Sequence, residues 1–257
     1  MQQRLRALLA SILGVLVCTQ LATSGTAHAQ DGAPFCAPGQ PARFVQGIAD
    51  LRERLGDPMG APVECEHVDP DSKDTIQHTT TGLAYYRPSI NTAMFTDGET
   101  HWALANDQLL LWRNASVTPP QPTPIEAAYL DQTAPLRNRY ATLTNRLTAI
   151  RRQADAGQLD AVDVQVLTTL VDDLRATRDA YAAVRQSGRL YRHYGLMVTS
   201  VNSAMAAAEM LAQARQIQAP EIRREFLNDA AGYRQESERL RNAAADAYVR
   251  TLPIVVG

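Results

Sequence analysis

The sequence predicts an α+β protein: a small disulfide-tied antiparallel β module with one short helix, followed by an all-α up-and-down bundle of three to four long helices. Three observations carry this. Val117 to Pro124 holds four prolines in eight positions, a stiff extended connector with few backbone donors. Both tryptophans and most glycines lie before it, whereas Ala, Leu, Arg and Gln dominate after it. The apolar period also changes there, from short β-prone runs to long stripes at helical spacing.

Of the 257 residues, 45% are hydrophobic, enough for a sizeable core. Fourteen Gly and 14 Pro are ordinary usage and exclude collagen-like or wholly disordered chains. The net charge of −2 gives no global field that would draw nucleic acid or an anionic membrane. No apolar run past the N-terminus is long enough for an integral membrane span.

Arg4 and Arg6, the apolar run Ala7 to Val17 and Ala27-His28-Ala29 fall in the order of a secretory signal peptide over residues 1–29. Its removal takes Arg4 and Arg6 and moves the charge from −2 to −4; it also takes Cys18, leaving Cys36 and Cys65 of the three cysteines. In an exported chain this pair is expected to oxidise and tie the mature N-terminus to the module. The expected organisation is therefore 1–29 signal peptide, 30–116 β-rich module, 117–124 connector and 125–257 helical bundle. The expected localisation is secreted, extracellular or associated with the cell envelope.

Within the module, Phe44, Ile48, Leu51 and Leu55 keep helical spacing and Gly56 follows as a stop. Strands are expected at Thr75–Thr80, Leu83–Arg87, Ala93–Thr96, Trp102–Ala105 and Leu109–Trp112, separated by Gly82, Pro88-Ser89, Asp97-Gly98 and Asn106-Asp107. Asp97-Gly98 is the sharpest hairpin signal, because Asp-Gly suits the positive φ of a tight turn.

In the second part, Tyr129, Thr133, Leu136, Tyr140, Leu143, Leu147, Ile150 and Ala154 form a 4,3 seam that places Pro135 in a first turn or at a kink. Ala156-Gly157 ends it, and Asp160 is the expected N-cap of the next helix, which carries Leu167, Leu170, Leu174 and Tyr181. Leu190 to Leu211 and Ile222 to Ala247 continue the stripes on either side of Ala219-Pro220. Whether Ser187-Gly188 interrupts the chain is left open by the sequence.

Candidate sites are sparse. Asp69, Asp71 and Asp74 could approach one hard cation, but the loop lacks the glycine and distal glutamate of an EF-hand, so a solvated turn is the stronger reading. His67, His78 and His101 lack zinc-ligand spacing. Glu64, Glu66, Asp97 and Glu99 could supply paired carboxylates no better than any acidic loop, and no Gly-x-Ser-x-Gly elbow occurs. No catalytic residue, metal or cofactor is assigned. The ring-bearing residues Tyr85, Tyr86, Trp102 and Trp112 are the candidate ligand-binding aromatics. Tyr85 and Tyr86 must face opposite sides of a strand, so at least one ring can stay exposed to stack on a sugar or a protein partner, whereas taken singly each ring, Phe95, Trp102 and Trp112 included, is more readily core.

Residues 35–113 resemble a small module found in exported bacterial proteins, on Phe44, Glu64-Cys65-Glu66-His67, the stretch Gln77 to Tyr86, Phe95-Thr96-Asp97-Gly98 and Trp102. More distantly, Leu55-Gly56-Asp57-Pro58 with His101-Trp102 is similar to the LGFP repeat of bacterial cell envelopes. The resemblance implies an extracellular accessory or binding role and no chemistry. The expected function is a secreted, non-enzymatic binding protein, its β module recognising a cell-wall polymer, glycan or envelope protein. A structural protein that self-associates through its helices, and a hydrolase with an unrecognised site, are the alternatives.

Overall fold

A computed structural model describes residues 33–184 and 188–256. The signal segment, with Cys18, lies outside the described residues, as does Ser187.

The module opens with α1 (Gln46–Leu55), which buries Ile48 and Leu51 and ends at Gly56, where φ is 73°. Seven strands follow in one antiparallel sheet in chain order: β1 (His67–Val68), β2 (Thr75–His78), β3 (Leu83–Arg87), β4 (Thr92–Thr96), β5 (His101–Ala105), β6 (Gln108–Trp112) and β7 (Ile254–Val256). α1 covers one face, over Ala84, Ala93 and Phe95. On the other face lie Tyr85, Met94, Ala103 and Trp112. This is the period-two alternation of a sheet buried on both sides.

Of the three to four long helices expected, four form: α2 (Pro124–Asp155), α3 (Val164–Ala183), α4 (Tyr191–Gln216) and α5 (Pro220–Val249). The chain does break between α3 and α4. Pro135 lies well inside α2 rather than in its first turn, and the cap of α3 is Asp163, whose carboxylate accepts from the Gln165 N–H at 2.8 Å. Asp160, expected as that cap, instead pairs with Arg223 and Arg215 across the bundle end. α2 starts on a capping box: the Thr123 hydroxyl accepts from the Glu126 N–H, and the Glu126 carboxylate accepts from the Thr123 N–H. Glu126, almost fully buried, also receives the Arg189 guanidinium, which holds its carboxyl below the usual range.

One result departs from the tandem reading. β7 comes from the C-terminus and pairs with β6 through Leu111↔Ile254, Leu110↔Val255 and Leu109↔Val256. The helical bundle is therefore an excursion between two neighbouring strands, and residues 254–256 belong to the sheet. A three-residue edge strand is below what periodicity detects. Both expected turns join antiparallel strands, but the tighter is the other one: Ala105 pairs with Gln108, so Asn106-Asp107 is the two-residue turn, with φ of 49° and 59°. Asp97-Gly98 sits in a four-residue loop between Thr96 and His101, where the Asp97 carboxylate accepts from the N–H groups of Glu99 and Thr100.

α4 is the centre of the bundle, packed against α2, α3 and α5. α2 and α5, the remaining side of a closed four-helix arrangement, share almost no close backbone approach. They are joined by long side chains instead. Tyr140 Oη lies 2.6 Å from Ser237 Oγ and 2.7 Å from Ser200 Oγ, Arg151 donates to the Leu227 carbonyl, and Arg241 donates to Thr144. No described helix is long and apolar enough to cross a membrane.

Candidate functional site

Most residues singled out by the sequence build the module. Cys36 and Cys65 are bonded, with Cα atoms 4.9 Å apart. Glu64 accepts from both the N–H and the ring of His78; burial works to raise its pKa, and those bonds lower it overall. Gln77 donates to the Arg43 and Glu64 carbonyls, tying the segment before α1 to β2. The three aspartates of the acidic loop do not converge. Asp69 caps its own turn on Ser72, Asp71 is exposed, and Asp74 is buried in a salt bridge with Arg87. Among the described residues no cluster of His, Cys, Asp and Glu is arranged to hold a metal ion.

The aromatic surface is smaller than the sequence suggests. Trp112 is fully buried: the chain after β6 folds back over its face, and Trp112 Nε1 donates to the Ser116 carbonyl. Tyr85 is 5% exposed on the same face and donates to the Val117 carbonyl. As candidate ligand-binding aromatics both rings are therefore corrected: they take the core role that the sequence also allowed them. Trp102 is half-buried against Phe95. Only Tyr86 keeps a half-exposed ring over a polar groove, with its hydroxyl 2.6 Å from Asn91 Oδ1 and Asp50 and Asp107 alongside.

A second cavity lies elsewhere. The open seam between α2 and α5 holds a cleft of about 490 Å³, roofed by Pro253, Ile254 and Val255 as the chain enters β7. Such a volume falls in the ordinary range of small-molecule sites, about 300–1,000 Å³. Each helix contributes residues at i and i+3 or i+4: Arg137, Tyr140 and Ala141 from α2, His193 and Met197 from α4, and Arg241, Ala245 and Tyr248 from α5. The floor is fixed by Tyr129, whose hydroxyl lies 2.9 Å from His193 Nδ1, and by the Tyr140–Ser200–Ser237 cluster. Tyr248 sets its ring edge-on to His193, 5.5 Å away.

Against family models, curated proteins and solved structures, the chain has no match. The site is therefore read from its own chemistry.

Its charge is one-sided. Among the described residues neither Arg137 nor Arg241 has a carboxylate within 4.0 Å, although most other arginines of the bundle do. Arg137 donates to the Thr133 hydroxyl at 2.7 Å and Arg241 to the Thr144 hydroxyl at 3.3 Å. Both are half-buried, so their charge is less screened than that of a surface side chain. Arg137 acts electrostatically on Tyr129, Tyr181, His193 and Tyr248, none of which supplies a negative charge. Burial first, and then Arg137, push His193 down to about 4, so its imidazole is neutral near pH 7. Among the described residues no carboxylate lines the cleft, and its single histidine is His193.

None of these residues stands out in the sequence. Tyr140 and Met197 read as seam residues, and Arg137 and Arg241 as a solvated face. The available signal was a second stripe, Arg241, Ala245 and Tyr248, running beside the Leu240–Ala244–Ala247 seam of α5.

Proposed function

We propose that the protein is an exported, non-enzymatic binding protein whose ligand occupies the cleft between α2 and α5, under the strand that returns to the β module. The observation that carries this is a bundle left open on one side, with two half-buried arginines lacking carboxylate partners at a cavity of ligand size. A fully packed bundle would close this side with small seam residues, as α4 and α5 do through Ala204, Ala208 and Ala244. Binding without turnover accounts for a lining that pairs one neutral histidine with no carboxylate. Export is supported by the leader pattern of residues 1–29 and by the Cys36–Cys65 bond, which persists in oxidising compartments. Likeness to an exported bacterial module agrees with this.

The neutral dye N-phenyl-1-naphthylamine tests the site without assuming the ligand. A saturable one-site fluorescence gain is expected, lost in Ala245→Trp, where an indole fills the cleft from an exposed helix position. No saturable gain, or an unchanged gain in Ala245→Trp, contradicts the reading.

Tyr86 favours a second reading, in which the β module recognises a cell-wall glycan. Its half-exposed ring borders Asp50, Asn91, Asn106 and Asp107, an aromatic platform beside hydrogen-bonding groups. Titration with wall oligosaccharides should then change Trp fluorescence in the native protein and leave Tyr86→Ala silent. A flat native titration removes this reading.

A further inference from the structure

We propose that the ligand of the α2–α5 cleft is a single-chain amphiphile with an anionic head, a carboxylate or a phosphate monoester on an alkyl body. The head is taken by Arg137 and the body lies against Met197, Ala141, Ala245 and Ile254. This rests on the reading of the cleft as a ligand site and adds the chemistry of the occupant.

Arg137 marks the charged end of the cleft. A guanidinium removed halfway from water loses hydration, and the chain returns only one hydroxyl bond, from Thr133. Tyr129, Tyr248 and neutral His193 are close enough to feel its charge. These rings can donate to an anion or stack beside it, but they cannot neutralise a cation. A planar donor fork with unspent N–H groups is suited to carboxylate and phosphate oxygens. Most other half-buried arginines among the described residues meet a carboxylate, as Arg87 does with Asp74, Arg151 with Asp155 and Arg223 with Asp160. Arg137, Arg241 and Arg146 do not; Arg146 is spent on the Val166 carbonyl, whereas Arg137 and Arg241 both line the cleft.

The shape argument concerns the rest of the cavity. Arg137 turns toward Thr133 and Arg241 toward Thr144, about three turns apart on α2. The two cations therefore mark opposite ends of the cleft, and the wall between and above them is methyl and methylene surface from Met197, Ala141, Ala245 and Ile254. A free inorganic anion would satisfy the charge and leave that wall wet. An alkyl chain fills it, at about 0.8 kcal/mol per buried methylene. Arg241, at the far rim, adds attraction without being the main contact.

Displacement of N-phenyl-1-naphthylamine from the full-length mature protein reads the class. Decanoate and decyl phosphate should compete, decyltrimethylammonium should compete at least tenfold more weakly, and inorganic phosphate alone should not compete. Arg137→Gln should weaken decanoate by about tenfold or more, the loss of one charge-assisted contact, and Arg241→Gln by only a few-fold. Both variants should keep dye affinity, which shows that they are folded with the cleft intact. If the cationic and anionic amphiphiles compete equally, or Arg137→Gln leaves decanoate unchanged, the anionic class is wrong while the cleft remains a ligand site. If the dye binds equally to Ala245→Trp, the site itself is wrong. Competition by inorganic phosphate alone overturns the amphiphile in favour of a simple anion.

Discussion

The Tyr129 hydroxyl lies 2.9 Å from His193 Nδ1, joining the second turn of α2 to the first of α4 across 64 positions of sequence. The pair is buried beneath Arg137, and that placement keeps the imidazole neutral in the folded chain, with a pKa of about 4 against an ordinary 6.5. As pH falls through 6.5 the unfolded chain takes up this proton first, so the folded state loses stability from there down to about 4. The loss attributable to His193 is about 2 kcal/mol by pH 5. Urea midpoints at pH 7 and pH 5 should therefore differ by less in His193→Gln than in the native protein. Parallel profiles would show that the imidazole is free to protonate.

The Cys36–Cys65 bond closes 29 positions and fixes the segment before α1 to the edge of the sheet. Replacing both with serine should cost about 3 kcal/mol by the loop-entropy model. The loss should appear in the unfolding of the β module, with the helical signal of the bundle melting later. An unchanged midpoint would mean that Gln77 and Glu64 already hold the segment through their bonds.

Gly82 precedes β3, where an added Cβ would lie 2.0 Å from the Thr96 carbonyl oxygen and 3.0 Å from Phe95. Gly82→Ala must push β3 away from β4 at the end of their ladder. A destabilisation of about 2 kcal/mol or more is expected in a denaturant melt. A change below about 0.5 kcal/mol would show that the strand end yields freely.

Asp107 occupies the second position of the β5–β6 turn at φ 59°, where glycine carries no steric cost. Asp107→Gly should stabilise the hairpin by a few tenths of a kcal/mol to about 1. Destabilisation would indicate that the carboxylate contributes to the Tyr86 groove.

Local chemistry made much of this fold legible. Leu83–Arg87 is read to the residue because alternation, Gly82 and Pro88 bound it, and Ala219-Pro220 separates α4 from α5 because proline cannot continue the first helix but suits the start of the second. What failed depends on distant partners. Ile254–Val256 is a strand only because β6 lies beside it, and Trp112 is core only because residues 113–118 fold back on it. Arg137 and Arg241 lie far apart in the chain, and each alone is an ordinary helical arginine. Their common cleft exists because α5 packs on α4 and leaves α2 open, a tertiary outcome that no single stripe encodes.

The most direct test of the account is photo-crosslinking with a diazirine-bearing alkyl carboxylate, followed by peptide mapping. Label is expected on α2 around Tyr140 and Ala141, on α5 between Arg241 and Tyr248, and on the roof at Pro253–Val255, with excess decanoate removing it. Label concentrated on strands β3 to β5, or spread over the surface and insensitive to decanoate, would contradict a ligand held between the bundle and the returning strand.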